Sequence, residues 1–161
     1  MNCLYMNERE RVLAEVEVLL LARRFRRLYE AVSQPVCAAH GLTQTELDIL
    51  GFFSNHPERD TARDVAEWRM LPKANVSQAV ETLIGKGLLV RQPDEIDRRR
   101  VHLLLTEKTA RMLPDIHASR KKLSDIMTGD FTAEESAVYL SLQRRIDDNA
   151  RNYLERKESN A

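Results

Sequence analysis

The side chains with chemistry to offer are concentrated between Lys73 and Arg100. On a helix, Lys73, Asn75, Ser77 and Gln78 fall on the face away from Val76, Val80 and Leu83. Asparagine and glutamine can each bond an adenine edge twice, and lysine reaches guanine acceptors. Ser77 and Thr82 carry short hydroxyls suited to phosphate oxygens, which fix register without reading sequence. Downstream, Arg98, Arg99 and Arg100 follow one another, with Arg91 shortly before them. Guanidinium groups at that density bind phosphate, and the plain alternative is a solvated charge run. Arg98 is the expected tip residue, while Asp97 and Arg99 are expected to hold the loop and Arg100 to begin the return strand. No rival chemistry stands out. His40, His56, His102 and His117 lack metal-ligand spacing, and Cys3 and Cys37 form no CxxC pair. There is no glycine-rich phosphate loop, no G-x-S-x-G elbow and no His-Glu metalloprotease pair. The expectation is a binding protein that is not an enzyme and uses no cofactor or metal.

Those residues need elements to hold them. Thr61-Ala-Arg-Asp64 is a carboxylate variant of the capping box and opens a short helix running to Met70. Leu71-Pro72 breaks the chain, and Pro72 suits the first position of a second helix, Lys73–Ile84. Gly85-Lys-Gly87 ends that helix. Leu88–Gln92 and Arg100–Leu105 then read as two strands around the polar stretch Pro93–Arg99. Helix, turn, helix and ribbon make a winged helix-turn-helix, which places its second helix in a major groove and lets the hairpin reach flanking backbone or the minor groove.

The succession Leu42-Thr43, Asp64-Val-Ala66, Val76-Ser-Gln-Ala-Val80, Leu83, Gly87-Leu88, Arg91, Asp94, Asp97-Arg-Arg99 and Leu105-Thr106 resembles the multiple antibiotic resistance regulator (MarR) family. The resemblance is close over residues 42–110. It implies a homodimeric, ligand-responsive repressor that binds double-stranded, pseudo-palindromic operator DNA and dimerises through helices at both ends of the chain. It also implies an aspartate–arginine pairing within the wing, which falls on Asp97 and Arg99. An effector would sit in a crevice between the winged domain and the dimer helices, where Leu20, Arg24, Leu50 and Phe53 are the candidates. Thr109 departs from the family's usual glycine. The rival reading is a winged-helix module that docks on protein instead of DNA.

Around this centre, residues 7 to about 32 read as one helix that Ser33-Gln-Pro35 ends or bends. Thr43-Gln-Thr-Glu46 opens a helix through Phe53, and Thr106 caps a later one that Pro114 should kink or split. Thr132-Ala-Glu-Glu135 opens the last helix, with Val138, Leu142, Ile146 and Tyr153 spaced along it. The expected architecture is one mainly α (α+β) domain over 1–161. Residues 42–106 form the winged helix-turn-helix with a two-stranded antiparallel wing, flanked by dimerisation helices at 7–35 and 107–158. These flanking helices are more apolar than one small domain can absorb, which independently points to a second copy. Lysine plus arginine and aspartate plus glutamate number 25 each, so any DNA-binding face must be a local basic one. The longest apolar run, Val18–Ala22, is too short to span a bilayer, and the start lacks the basic residues of a signal peptide. Two cysteines make no secreted disulfide framework, so a cytoplasmic setting with idle thiols is expected.

Overall fold

A capping box at each of three helix starts sets the frame of the computed structural model, which describes residues 8–97 and 100–158. The chain runs α1 (Glu8–His40), α2 (Gln44–Asn55), α3 (Ala62–Trp68), α4 (Lys73–Gly85), β1 (Leu89–Pro93), β2 (Val101–Leu105), α5 (Glu107–Ala110), α6 (Leu113–Thr128) and α7 (Ala133–Glu158). It divides into two compact units, Met1–Leu123 and Ser124–Ala161. Thr43 and Glu46 exchange side-chain and backbone hydrogen bonds at the start of α2, as do Thr61 and Asp64 at α3. Thr132 and Glu135 do the same before α7. Each exchange satisfies two amides that a helix start would otherwise leave unpaired.

Two boundaries differ from expectation. α1 does not stop at Pro35 but continues to His40 with the proline inside it. An internal proline costs roughly 3 kcal/mol. Val32 and Ser33 are buried on this segment, and Val36 and Cys37 pack against the core. Burying a few apolar side chains at about 1.5–3 kcal/mol each outweighs the lost hydrogen bond. Pro72 is the N-cap of α4 and not its first helical residue, with ψ at 130°. Pro114 behaves as expected: the helix splits into α5 and α6, and the proline sits in the first turn of α6, where its missing N–H matters little.

α4 ends as its glycines predict. Gly87 adopts φ 69°, Leu88 N donates to Leu83 O at 2.9 Å, and Gly87 N donates to Ile84 O. β1 and β2 pair antiparallel from Leu89 opposite Leu105 to Pro93 opposite Val101. The core of the first unit gathers Ile49, Leu50, Phe52 and Phe53 of α2, Val65 of α3, Val76, Val80 and Leu83 of α4, Leu89 and Leu103 of the ribbon, and Ile116 of α6. Thr109 is fully buried and donates its hydroxyl to Leu88 O, so its polar atom is satisfied.

Charge is buried in two places. Lys86 Nζ meets the Glu46 carboxylate at 2.8 and 3.0 Å and also donates to Gly41 O. Arg120 Nη1 donates to Gly51 O at 2.9 Å, beside Tyr29, whose hydroxyl bonds Asp48. Burial, with the Asp48 hydrogen bond, pushes the Tyr29 hydroxyl up to about 12, and burial with the nearby Arg69 lowers the Arg120 guanidinium. Gly51 leaves room for this arrangement, since a Cβ there would lie 2.0 Å from Arg120 Nη2. Gly51→Ala should therefore displace Arg120, break its hydrogen bond and destabilise the fold by about 1–2 kcal/mol in denaturant unfolding. An unchanged midpoint would mean that the guanidinium is not seated there.

Candidate nucleic-acid interface

α4 buries Val76, Ala79, Val80 and Leu83 and leaves its opposite surface to solvent. Lys73, Asn75, Ser77, Gln78 and Thr82 are all exposed on it. The helix is held from behind by α2 and α3, so these side chains project from a rigid support. Thr82 donates its hydroxyl to Gln78 O at 3.0 Å, which leaves only its lone pairs outward. A phosphate offers acceptors and no donor, so Thr82 is the weakest of the five contacts.

The wing stands beside this surface. Arg91 on β1 pairs with Glu81 of α4 while keeping about half its side chain in solvent. Its charge is thus partly neutralised within the protein, a pairing that a reading by sequence distance does not reveal. Arg100 is exposed, with Nη2 3.8 Å from Asp60 Oδ1. Arg98 and Arg99 lie outside the described residues. Asp97 closes the hairpin through its main chain: Arg100 N donates to its carbonyl at 2.8 Å, and its own N–H donates to Asp94 Oδ1 at 2.7 Å.

Asp94, Asp60 and His102 have a structural role that the sequence reading did not assign them. Asp94 Oδ1 also accepts from Ile96 N at 2.8 Å, and Asp94 Oδ2 faces His102 Nε2 at 3.0 Å. The amides of Asp97 and then His102 and Ile96 hold the Asp94 carboxyl down to about 2. His102 Nδ1 faces Asp60 Oδ2 at 2.7 Å. An aspartate followed two and three residues later by backbone donors is an Asx-type turn, a signal present in Asp94-Glu-Ile-Asp97. The partner 42 residues away left no such trace.

Comparison with known proteins finds similarity in this region. Residues 40–100 match the sequence profile described as the MarR family. Over these residues the chain is similar to that family. The HTH-type transcriptional regulator MhqR of Bacillus subtilis (strain 168) is 24% identical over 84% of this chain and 92% of its own length. The HTH-type transcriptional repressor NicR of Pseudomonas putida is 26% identical over 83% of each. Among solved structures, the S. aureus MepR–DNA complex superposes with a TM-score of 0.71 at 17% identity, covering 81% of this chain and 94% of that one. The winged-helix fold expected from sequence is the fold observed, and the two curated relatives are named as a transcriptional regulator and a transcriptional repressor.

The remaining candidates fall in different surroundings. Leu50 and Phe53 are sealed in the core, whereas Leu20 and Arg24 are exposed on α1. Tyr29, Asp48 and Arg120, from three helices, form a half-buried polar group. Cys37 is partly buried, and burial followed by the Asp48 and Glu46 charges pushes its thiol up, away from reactivity. Cys3 lies outside the described residues. Among the described residues, no group of three or more His, Cys, Asp or Glu is placed to hold a metal, and no helix is long and apolar enough to cross a membrane.

Proposed function

We propose that this protein is a MarR-family regulator, a sequence-specific, double-stranded DNA-binding repressor that acts as a homodimer in the cytoplasm. The observation that carries this reading is the exposed row Lys73, Asn75, Ser77 and Gln78 on a helix whose other face is locked into the core, beside a basic hairpin. A rigid helix with amide side chains near its N-terminal half is suited to base-edge recognition, and arginines at the wing are suited to phosphate. The MepR complex with DNA, which shares this fold, and the repressor NicR support it.

Dimerisation is supported by apolar side chains left in water at both ends of the chain. Val18, Leu19, Leu20 and Leu21 are exposed on α1, and Val138, Leu142, Ile146 and Tyr153 on α7. Two-fold pairing would present two α4 helices to half-sites about 34 Å apart. In this reading 7–35 and 107–158 serve the dimer and 42–106 serves DNA, within one functional domain. An effector would act by preferring one spacing of the two α4 helices over the other.

The test is a gel shift with a duplex from the gene's own upstream region at two salt concentrations. Gln78→Ala should relax sequence preference, weakening the preferred duplex by about 5–100-fold and scrambled DNA hardly at all. Arg100→Ala should weaken all sequences alike and lower the slope of log affinity against log salt by about one. If neither change alters DNA affinity, the winged helix is a protein-docking module instead.

A further inference from the structure

We propose that His102 is a positioning residue: as an imidazolium it latches Asp94, which organises the wing loop, to Asp60 on the connection entering α3, and the loop loosens when the ring gives up a proton. Both ring nitrogens face carboxylate oxygens, Nδ1 at 2.7 Å from Asp60 Oδ2 and Nε2 at 3.0 Å from Asp94 Oδ2. A carboxylate only accepts, so both nitrogens must donate, and only the doubly protonated ring does so. A neutral ring would point a lone pair at one of the two oxygens.

The geometry says which part moves. Leu103 N donates to Asp60 O at 2.7 Å, and the β1–β2 ladder runs through Gln92 opposite His102. These main-chain bonds carry no titrating proton, so the base of the ribbon stays seated. Beyond it, Asp94 holds the loop through the amides of Ile96 and Asp97. Ile96 is 97% exposed and so adds no packing of its own. Freeing Asp94 from His102 therefore loosens the loop that carries the wing's arginines. The charged groups facing the ring are Asp60 first and then Asp94, which raise its pKa, and Arg100, which lowers it; the net direction is up. Asp60 Oδ1 is itself buried without a hydrogen bond, with Arg100 Nη2 at 3.8 Å, so this carboxylate relies on His102 for its close partner.

The sign follows from the raised value. The latch is complete below the ring's ordinary pKa of about 6.5 and is lost as pH rises through the higher folded value. Asp94, near 2, stays ionised throughout. Any consequence for DNA affinity rests on the DNA-binding reading above.

The experiment uses the full chain at constant ionic strength from pH 6 to 9. Imidazole NMR signals give the His102 midpoint, amide protection factors at Ile96 and Asp97 report the loop, and titration with the upstream duplex reports affinity. The expected result is a midpoint above about 6.5, with loop protection and affinity each falling roughly three- to tenfold across the same interval. His102→Gln should make both pH-independent at the weaker level, and Asp94→Asn should lower the midpoint. A midpoint at or below the ordinary value, or loop protection that is unchanged through the titration, overturns the latch. Coupled titration and protection with no DNA binding at any pH would uphold the latch and remove the DNA reading instead. Affinity that stays constant while the loop loosens shows that the latch does not act on DNA and overturns that part of the proposal.

Discussion

A chain carrying both Leu142→Glu and Ile146→Glu is expected to sediment as a monomer and to bind its upstream duplex at least about a hundredfold more weakly than the parent. The reason lies in α7. Val138, Leu142, Ile146 and Tyr153 recur at helical spacing, and they are 58, 48, 69 and 62% exposed. None of the side chains described on this 26-residue helix is buried. An isolated helix draws little stability from propensity alone and relies on packing of its apolar face. In the proposed two-fold dimer a second copy would supply that packing. Once two DNA-reading helices are joined, binding of the second half-site becomes intramolecular, and avidity commonly adds two to four orders of magnitude. Two buried carboxylates would remove the joint without touching α4. Arg144→Glu, on the opposite side of α7, should leave both mass and affinity close to the parent. Sedimentation velocity at micromolar protein decides the matter: a double variant that is still dimeric places the interface elsewhere.

Lys86→Met should lower the unfolding free energy by about 3 kcal/mol near pH 7, the largest stability effect expected of one substitution here. Glu46 is almost fully buried, and the only cation bonded to it among the described residues is Lys86. Burial pushes the Glu46 carboxyl up, but the Lys86 hydrogen bonds, with those of Thr43, outweigh it, and the net shift is downward. Removing Lys86 leaves a buried charge with its Thr43 hydrogen bonds and no cation bonded to it among the described residues, and also strips Gly41 O of a donor. Because Lys86 is about one-third exposed, the low end of the range for broken buried pairs applies. The pH dependence follows from the sign. A depressed folded pKa contributes stability above the ordinary value of about 4.3 and loses it as pH falls. In the variant the buried carboxyl is raised instead and becomes neutral on acidification. The gap between parent and variant should therefore narrow from pH 7 to pH 4 in urea unfolding at fixed protein concentration. A gap that is constant with pH would mean that packing of the lysine stem, and not its charge, is what counts.

The helix starts were legible because their causes are local. Thr43 with Glu46, Thr61 with Asp64 and Thr132 with Glu135 each lie three residues apart, within the span over which a side chain can reach its own backbone. The same holds for Gly87 at the end of α4 and for Pro114 at the start of α6. Pro35 shows where local rules stop. Its ring disfavours a helix in isolation, yet the burial of Val32 and Ser33 around it is a property of the packed unit. The depth of Leu50 and Phe53 was set in the same way, because an apolar residue on a helix looks alike in sequence whether it is half-exposed or sealed in the core.

By itself, then, the order of residues determined the element types, the exposed polar face of α4 and the charge of the hairpin, because periods of two and 3.6 residues and caps three residues apart act within single elements. Only the folded chain decided that Arg91 answers Glu81, that Lys86 closes on Glu46 across 40 positions, and that His102 stands between Asp60 and Asp94. Each of these pairings joins distant positions, and the free energy that selects it comes from shared burial and scarce partners once the elements have docked.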